Sequence, residues 1–534
     1  MGCGLLTRIQ EVEAESFRNV IEYCNPMAVK KLPKSANTVR SDIMKCFEAA
    51  KVTVKENLKI ARSKIHLSFD LWTSPNFKAM LAIVGHWTSY EFKVETALLA
   101  MKEITGAHKG EFIAPVLHGV AKEFGIDDKL GYFMADNATN NDKALRFLDR
   151  AIRNDGKIGF DVEERRLRCL GHILNLAVKV LLFGGNVAAL EKEMEDFEDE
   201  DVDTNDNDSG EARKWRARGV VGKLHNIVIF IRWSPQRRNK FLDEQLGDLK
   251  KVQAFMVAAD NDTRWSSTYD MIKSALREKD RIQAFIQGTP ELAKDMLTET
   301  DWDDLREMLT LLEPFKIVTM LGQERGTRYG SVATILWGMD ILLDLLEKAK
   351  TLARPNDSGF KKAINLSWKL LDKYYQLTDK SPVHIVSLLL DPRMKFQYFE
   401  RQWPQVWLED AKAKVRRFYN QYRQQEEATV QELAPQVQQT TGSMENVTTQ
   451  ITTPTSLDID TWLFGPTVQR RKDELDDYLS QAVLDFPSKE EREAFDVMEY
   501  WRGHLRVWPT LSRMFFDLAS IPSMSVEPER VFSG

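Results

Sequence analysis

Cysteine is scarce. The 534 residues hold four, Cys3, Cys24, Cys46 and Cys169, and no two stand in a Cys-x-x-Cys spacing. That spacing excludes a disulfide framework and points to a reducing compartment. Histidine is also sparse, at eight residues. A structural zinc needs four ligands, and Cys169-Leu170-Gly171-His172 has no matching second pair, so no zinc is expected. No apolar run reaches the roughly 18 residues of a membrane span. The N-terminus lacks a basic stretch followed by a long apolar core, so no signal peptide is expected. Charge of one sign is not in excess either. A net charge of −6 rules out a uniformly basic coat while leaving a local basic face open. There are no internal repeats.

What is present has ordinary soluble globular composition, 43% hydrophobic and 29% charged. The length implies two to four domains. Residues 1–63 read as a helical region: Phe17, Val20, Ile21 and Cys24 recur at helical spacing, Asn25-Pro26 breaks the pattern, and a second helix starts after Ser35. From Lys64 the period drops to two. Ile65, Leu67, Phe69 and Leu71 alternate with His66, Ser68, Asp70 and Trp72, and further strands are predicted at 80–87, 94–101 and 130–136 around a helix at 112–124. This is an α/β arrangement over 64–180, followed by a large all-α part. Residues 143–148 and 167–177 look helical, as does nearly everything from there to 380.

Two stretches interrupt the pattern. Residues 191–210 hold eleven acids and one lysine and are predicted to stay solvated. Residues 424–460, rich in Gln, Thr and Val, read as a flexible linker after a segment 381–423 that returns to the sheet domain. In 461–534, Leu475, Tyr478, Leu479, Phe495, Met498, Trp501, Leu511, Met514, Phe515 and Leu518 form an apolar stripe. It is a core face if buried and a dimer face if exposed.

The chemistry lies in acids at strand ends. Asp70 and Asp136 each close an alternating run, so a parallel pairing of those two strands brings two carboxylates together. Like charges that close need a cation, and hard carboxylate oxygens suit Mg²⁺ or Mn²⁺. The alternative reading of each aspartate is a turn or N-cap residue. Arg264-Trp265 stands at a helix start, where Trp265 could stack on an unpaired base and Arg264 hold a phosphate, or where the Trp simply anchors packing. Residues 211–240 hold nine basic residues and one acid: Arg213, Lys214, Arg216, Arg218, Lys223, Arg232, Arg237, Arg238 and Lys240. Such a stripe can neutralise DNA phosphates or only balance the acidic run before it.

Five motifs in this order resemble the hAT superfamily of DNA transposases and their derivatives. They are Ser68-Phe69-Asp70-Leu71-Trp72-Thr73-Ser74, Asp136-Asn137-Ala138-Thr139-Asn140-Asn141, Arg168-Cys169-Leu170-Gly171-His172, Thr263-Arg264-Trp265-Ser266-Ser267, and the run from Ile521 to Ser533. The resemblance implies an RNase H-like mixed sheet interrupted by a helical insertion over 181–380, with C-terminal dimerisation helices. It implies an Asp70–Asp136–Glu529 triad binding Mg²⁺ or Mn²⁺ for DNA cleavage and strand transfer, with Glu527 as the nearby rival for the third place. Cys169 and His172 would support strand handling near that site. DNA, a second copy of the chain and a nuclear location are the implied partners and setting, and no membrane is involved. The alternative is a non-catalytic, dimerising, DNA-associated derivative. The family's BED zinc finger does not precede residue 60, and the chain stops soon after Glu529, which leads to an expectation of weak or absent cleavage. Ser525 is the predicted N-cap of the helix carrying Glu529.

Overall fold

The computed structural model describes residues 9–73, 78–104, 110–184, 210–243, 255–260, 265–324, 331–352, 358–433 and 473–533. The acidic run 191–210 lies outside these except for Gly210, and Arg264 lies outside them altogether.

The described residues form five strands: β1 (Ile65–Thr73), β2 (Ala79–Thr88), β3 (Val94–Glu103), β4 (Leu130–Ala135) and β5 (Arg166–Arg168). Their order is β3-β2-β1-β4-β5. β1, β2 and β3 pair antiparallel, β4 runs parallel to β1, and β5 parallel to β4. The fifth strand corrects the helical reading of 167–177: Leu167 and Arg168 are strand, and the helix begins at Leu170. Three residues are too few to show a period, and pairing with β4 defines this strand.

Before the sheet come the helices α1 (Glu15–Cys24) and α2 (Ala36–Lys59), with a single helical turn, Pro26–Val29, between them. The Ser35 hydroxyl caps α2 by accepting the Thr38 N–H at 3.2 Å. One sheet face, with Leu67, Phe69, Ile83 and Phe133, packs on α3 (Gly110–Phe124) and α4 (Thr139–Asn154). Gly110 opens α3 where it meets α4, and a Cβ there would lie 2.5 Å from the Ala144 nitrogen.

Helices follow from α5 (Leu170–Phe183): α6 (Gly210–Arg216), α7 (Val220–Arg232), α8 (Pro235–Asp243), α9 (Trp265–Arg277), α10 (Glu299–Gly322), α11 (Ala333–Leu352) and α12 (Ser358–Leu377). The segment 381–423 adds no strand among the described residues. It forms α13 (Val383–Leu389) and most of α14 (Gln405–Leu433). α14 runs into the stretch read as a linker, because Gln424, Gln425, Glu426, Glu427 and Ala428 are good helix formers. They extend a helix already anchored by buried Phe418, Tyr419 and Tyr422.

The C-terminal segment forms α15 (Glu474–Ser480), α16 (Val497–Gly503), α17 (Pro509–Ala519) and α18 (Val526–Ser533). Its apolar stripe is a core face. Tyr478, Trp501, Leu511, Met514 and Phe515 join one core with α5, α9, α10 and α11. That core also covers the second face of the sheet. Thr88 Oγ1 donates to the Phe516 carbonyl at 2.7 Å, and His66 Nε2 donates to the Asp517 carbonyl at 2.7 Å. The molecule is thus layered: helices α3 and α4, the sheet, then a helical mass closed by the chain's last residues.

Candidate active site

Ser68 on β1 stands opposite Met134 on β4 in a parallel register. Asp70 comes two residues further along β1, on the face of Ser68 because side chains alternate along a strand, and Asp136 comes two residues beyond Met134, one past the last residue of β4.

Asp136 lies just past the end of β4, in the loop that starts α4. Its Oδ1 accepts the Ala138 N–H at 2.9 Å and the Asn141 amide at 2.6 Å. Its backbone carbonyl accepts a hydrogen bond from Arg166. Arg166 Nε and Arg168 Nη2 each donate to Asp142 at 3.0 Å, and Arg168 Nη1 reaches the Asn137 carbonyl at 3.3 Å. The two arginines of β5 therefore brace the loop through its backbone and through Asp142. Asn137 Nδ2 and Oδ1 and Asn141 Oδ1 are buried with no hydrogen-bond partner among the described residues. Buried polar atoms are normally satisfied, so this loop offers capacity to a ligand or hydrated ion. Asp70, half-buried, accepts its neighbour's Leu71 N–H at 3.1 Å. His66 is a neutral structural ring, its pKa pushed down to about 3 by burial.

Glu529 lies on α18, which packs on β1 and β2. The side chain of Glu529 is outside the described residues. Its rival Glu527 accepts from Arg530 at 2.6 Å and lines a cavity of about 220 Å³ with His86 and Thr96, over β2 and β3. The predicted Ser525 cap is not formed. Its hydroxyl is buried and has no partner among the described residues, and its N–H instead donates to Cys169 Sγ at 3.2 Å. Cys169 is fully buried, and its own N–H donates to the Ala135 carbonyl at 3.0 Å. This cysteine thus joins the end of β4, the start of α5 and the segment leading to α18. His172 is half-buried in the first turn of α5. Among the described residues no group of three His, Cys, Asp or Glu side chains is placed to hold a metal ion.

The residues proposed to touch DNA are dispersed. Trp265 is buried, edge-on to Tyr269 and Phe315 at ring distances of 6.4 and 6.5 Å, so this geometry serves packing. Arg216 pairs with Asp295 at 2.8 Å and Lys223 with Asp301 at 3.2 Å. Arg232 donates to the Val257 carbonyl at 3.0 Å and Lys240 to that of Gly288 at 3.1 Å. Arg218 lies over the Trp215 ring at 4.2 Å and Arg237 over Phe230 at 3.6 Å. Arg213, Lys214 and Arg238 are exposed. Sequence reasoning missed the bracing set of Asn141, Asp142, Arg166 and Arg168. Its one signal was the pair of arginines, Arg166 and Arg168, just before Cys169.

Three family models match the chain. They are the ZBED1 RNase-like domain over 68–161, the ZBED1 RNase-like helical domain over 167–311, and the hAT family C-terminal dimerisation region over 474–534. A Talaromyces stipitatus protein named as the transcriptional regulator tpeD is 23% identical over 98% of this chain and 56% of its own length. A Zea mays protein named as an AC transposase is 22% identical over 94% of this chain and 57% of its own. The zinc finger BED domain-containing protein DAYSLEEPER of Arabidopsis thaliana is 24% identical over 93% and 64%. The chain therefore spans little more than half the length of these relatives. No helix among the described residues is long and apolar enough to cross a membrane. With the sheet, the helical unit and the C-terminal region matched in order, the chain belongs to the hAT superfamily of DNA transposases and transposase-derived proteins.

Proposed function

We propose that the sheet is an RNase H-like catalytic platform and that the chain cleaves DNA phosphodiesters through Asp70, Asp136 and Glu529 with divalent metal bound. What supports this reading is the parallel pairing of β1 with β4, whose register ends at Ser68 and Met134, two residues before Asp70 and Asp136. The donor set fits the metal: paired carboxylates offer hard oxygens to Mg²⁺ or Mn²⁺, and the unsatisfied amide of Asn137 can bond a coordinated water. When bound, such ions activate the attacking oxygen and stabilise the leaving one.

The chain's own residues orient the groups. Ala138 and Asn141 hold Oδ1 of Asp136, which fixes the carboxylate and leaves Oδ2 for a ligand. Arg166 bonds the carbonyl of Asp136 and also acts on its carboxylate through charge, so it braces the loop and helps keep the carboxylate ionised. Exposed Arg213, Lys214 and Arg238 would hold DNA backbone, the 474–534 region would support a homo-oligomer, and the setting would be nuclear.

A second reading is a non-catalytic, DNA-associated derivative. It is favoured by the turn-forming role that Asp136 already fills. Mn²⁺ titration and plasmid nicking separate the two. The catalytic reading expects Mn²⁺ binding and metal-dependent nicking, both lost in Asp70→Asn. Binding lost in Asp70→Asn without nicking by the parent chain supports the derivative. Nicking undiminished by Asp70→Asn would sink the catalytic assignment.

A further inference from the structure

A cavity of about 140 Å³ lies between β5, α4 and the helical unit; it shares Asp142, Arg166 and Arg168 with the brace of the Asp136 loop, but its Arg146, Lys380, Ser381 and His384 have no part in the chemistry above. Four cations line it, Arg146, Arg166, Arg168 and Lys380, against two carboxylates, Asp142 and Glu163. Asp142 takes both Arg166 and Arg168. Glu163 takes both Arg146, at 3.3 Å, and Lys380. Each carboxylate thus serves two cations, and the lining keeps an excess of two positive charges. Arg166 is the deepest of them, its side chain only 4% exposed. Asp136, outside the lining, also acts on Arg166, so the excess positive charge lies toward the half-exposed Arg146 and Lys380 at the mouth, where it attracts an anion.

Two further polar groups point to the same occupant. Ser381 and His384 line the cavity and are 1% and 4% exposed. Ser381 Oγ and His384 Nδ1 are buried with no hydrogen-bond partner among the described residues. The His384 ring also bonds the Val332 backbone, and burial pushes its pKa down to about 4, so Nδ1 presents a lone pair. The missing group must therefore carry negative charge, accept from guanidinium and hydroxyl donors, and offer one O–H to an imidazole nitrogen.

We infer that this cavity binds a single phosphate group in its hydrogen phosphate form. Its charged oxygens take the guanidinium and Ser381 donors, and its P–OH donates to His384. The mouth is formed by Arg146, Glu163 and Lys380, each about half exposed. A terminal phosphate on a nucleic-acid strand and free inorganic phosphate share this chemistry. Binding here does not depend on the cleavage proposed above.

Calorimetric titration of the full chain with inorganic phosphate, against chloride at equal ionic strength, tests the site. One phosphate should bind. The double variant Arg146→Gln/Lys380→Gln leaves Glu163 unpaired at the mouth and should weaken binding about tenfold or more. Glu163→Gln releases both cations and should tighten binding severalfold, a gain that a merely structural ion pair would not produce. These side chains are half exposed, so folding is retained, and a melting curve on each variant checks it. Competition by a short oligonucleotide only when it carries a 5′-phosphate identifies a strand end as the source. Competition by neither oligonucleotide leaves free phosphate as the ligand. Heats no different from chloride, or equal affinities in all three proteins, would overturn the assignment and leave a water-filled cavity.

Discussion

His66 is the pivot of a buried polar chain behind the aspartate pair. Its Nδ1 accepts the Tyr132 N–H at 3.0 Å, while Asp517, whose carbonyl it bonds, accepts the Lys64 N–H and the Tyr422 hydroxyl, each at 2.7 Å. Asp517→Ala strands the buried Tyr422 hydroxyl and the part-buried Lys64 N–H at once and should cost about 2–4 kcal/mol in urea denaturation. A loss under about 1 kcal/mol would show that water replaces the carboxylate. The pH dependence has a definite sign. His66 is depressed to about 3 from an unfolded value of 6.5. Its contribution is therefore full above pH 6.5 and declines as pH falls toward 3, because the unfolded chain takes up the proton first. The slope is about 1.4 kcal/mol per pH unit. His384 adds a similar decline between 6.5 and about 4. His66→Gln, which can keep one hydrogen bond, should flatten the urea-midpoint profile below pH 6. An unchanged profile would remove His66 as its cause.

Helix α4 fixes the loop that holds Asp136, and Gly110 fixes where α3 lies against it. Gly110→Ala forces a Cβ into the backbone of α4 and should cost about 1–3 kcal/mol, read as a drop in melting temperature. At this scale, legibility followed the length of each pattern. The alternation of β1 and the Ser35 cap of α2 are local and were readable. β5 was not, because Arg166-Leu167-Arg168 has no period and exists through its register with β4. The parallel pairing of the strands that lead to Asp70 and Asp136 was readable as a possibility from their two alternating runs. What holds Asp136 was not, because Asn141 and Arg166 are brought to it by the turn and by β5. The burial of Trp265 depends on Phe315, far along the chain and invisible to local spacing.

Across the whole molecule, charge was legible in the sequence and its employment was not. The stripe from 213 to 240 spends much of its charge inside the helical unit, on Asp295, Asp301 and backbone carbonyls. With five exposed cations, Arg213, Lys214, Arg232, Arg238 and Lys240, the salt dependence of DNA binding from this stripe should follow a log–log slope of about −4 to −5. A slope near −8 is what nine engaged phosphates would give. Fluorescence anisotropy across a salt series decides between them. The C-terminal region is likewise an internal part of the protomer. Residues 1–433 and 473–534, made as separate chains in one cell, should copurify through the shared core of Tyr478, Trp501 and Phe515. Residues 1–433 melting alone with the transition of the intact chain would contradict this.

The hydrogen bond from His66 to Asp517 joins residues 451 apart in sequence. During translation at roughly 5–20 residues per second, β1 waits on the order of 20–90 s for the α17 part of its cover. Until α17 is made, His66 and Thr88 lack the backbone carbonyls they bond in the folded chain, and that part of the sheet face stays open to chaperones.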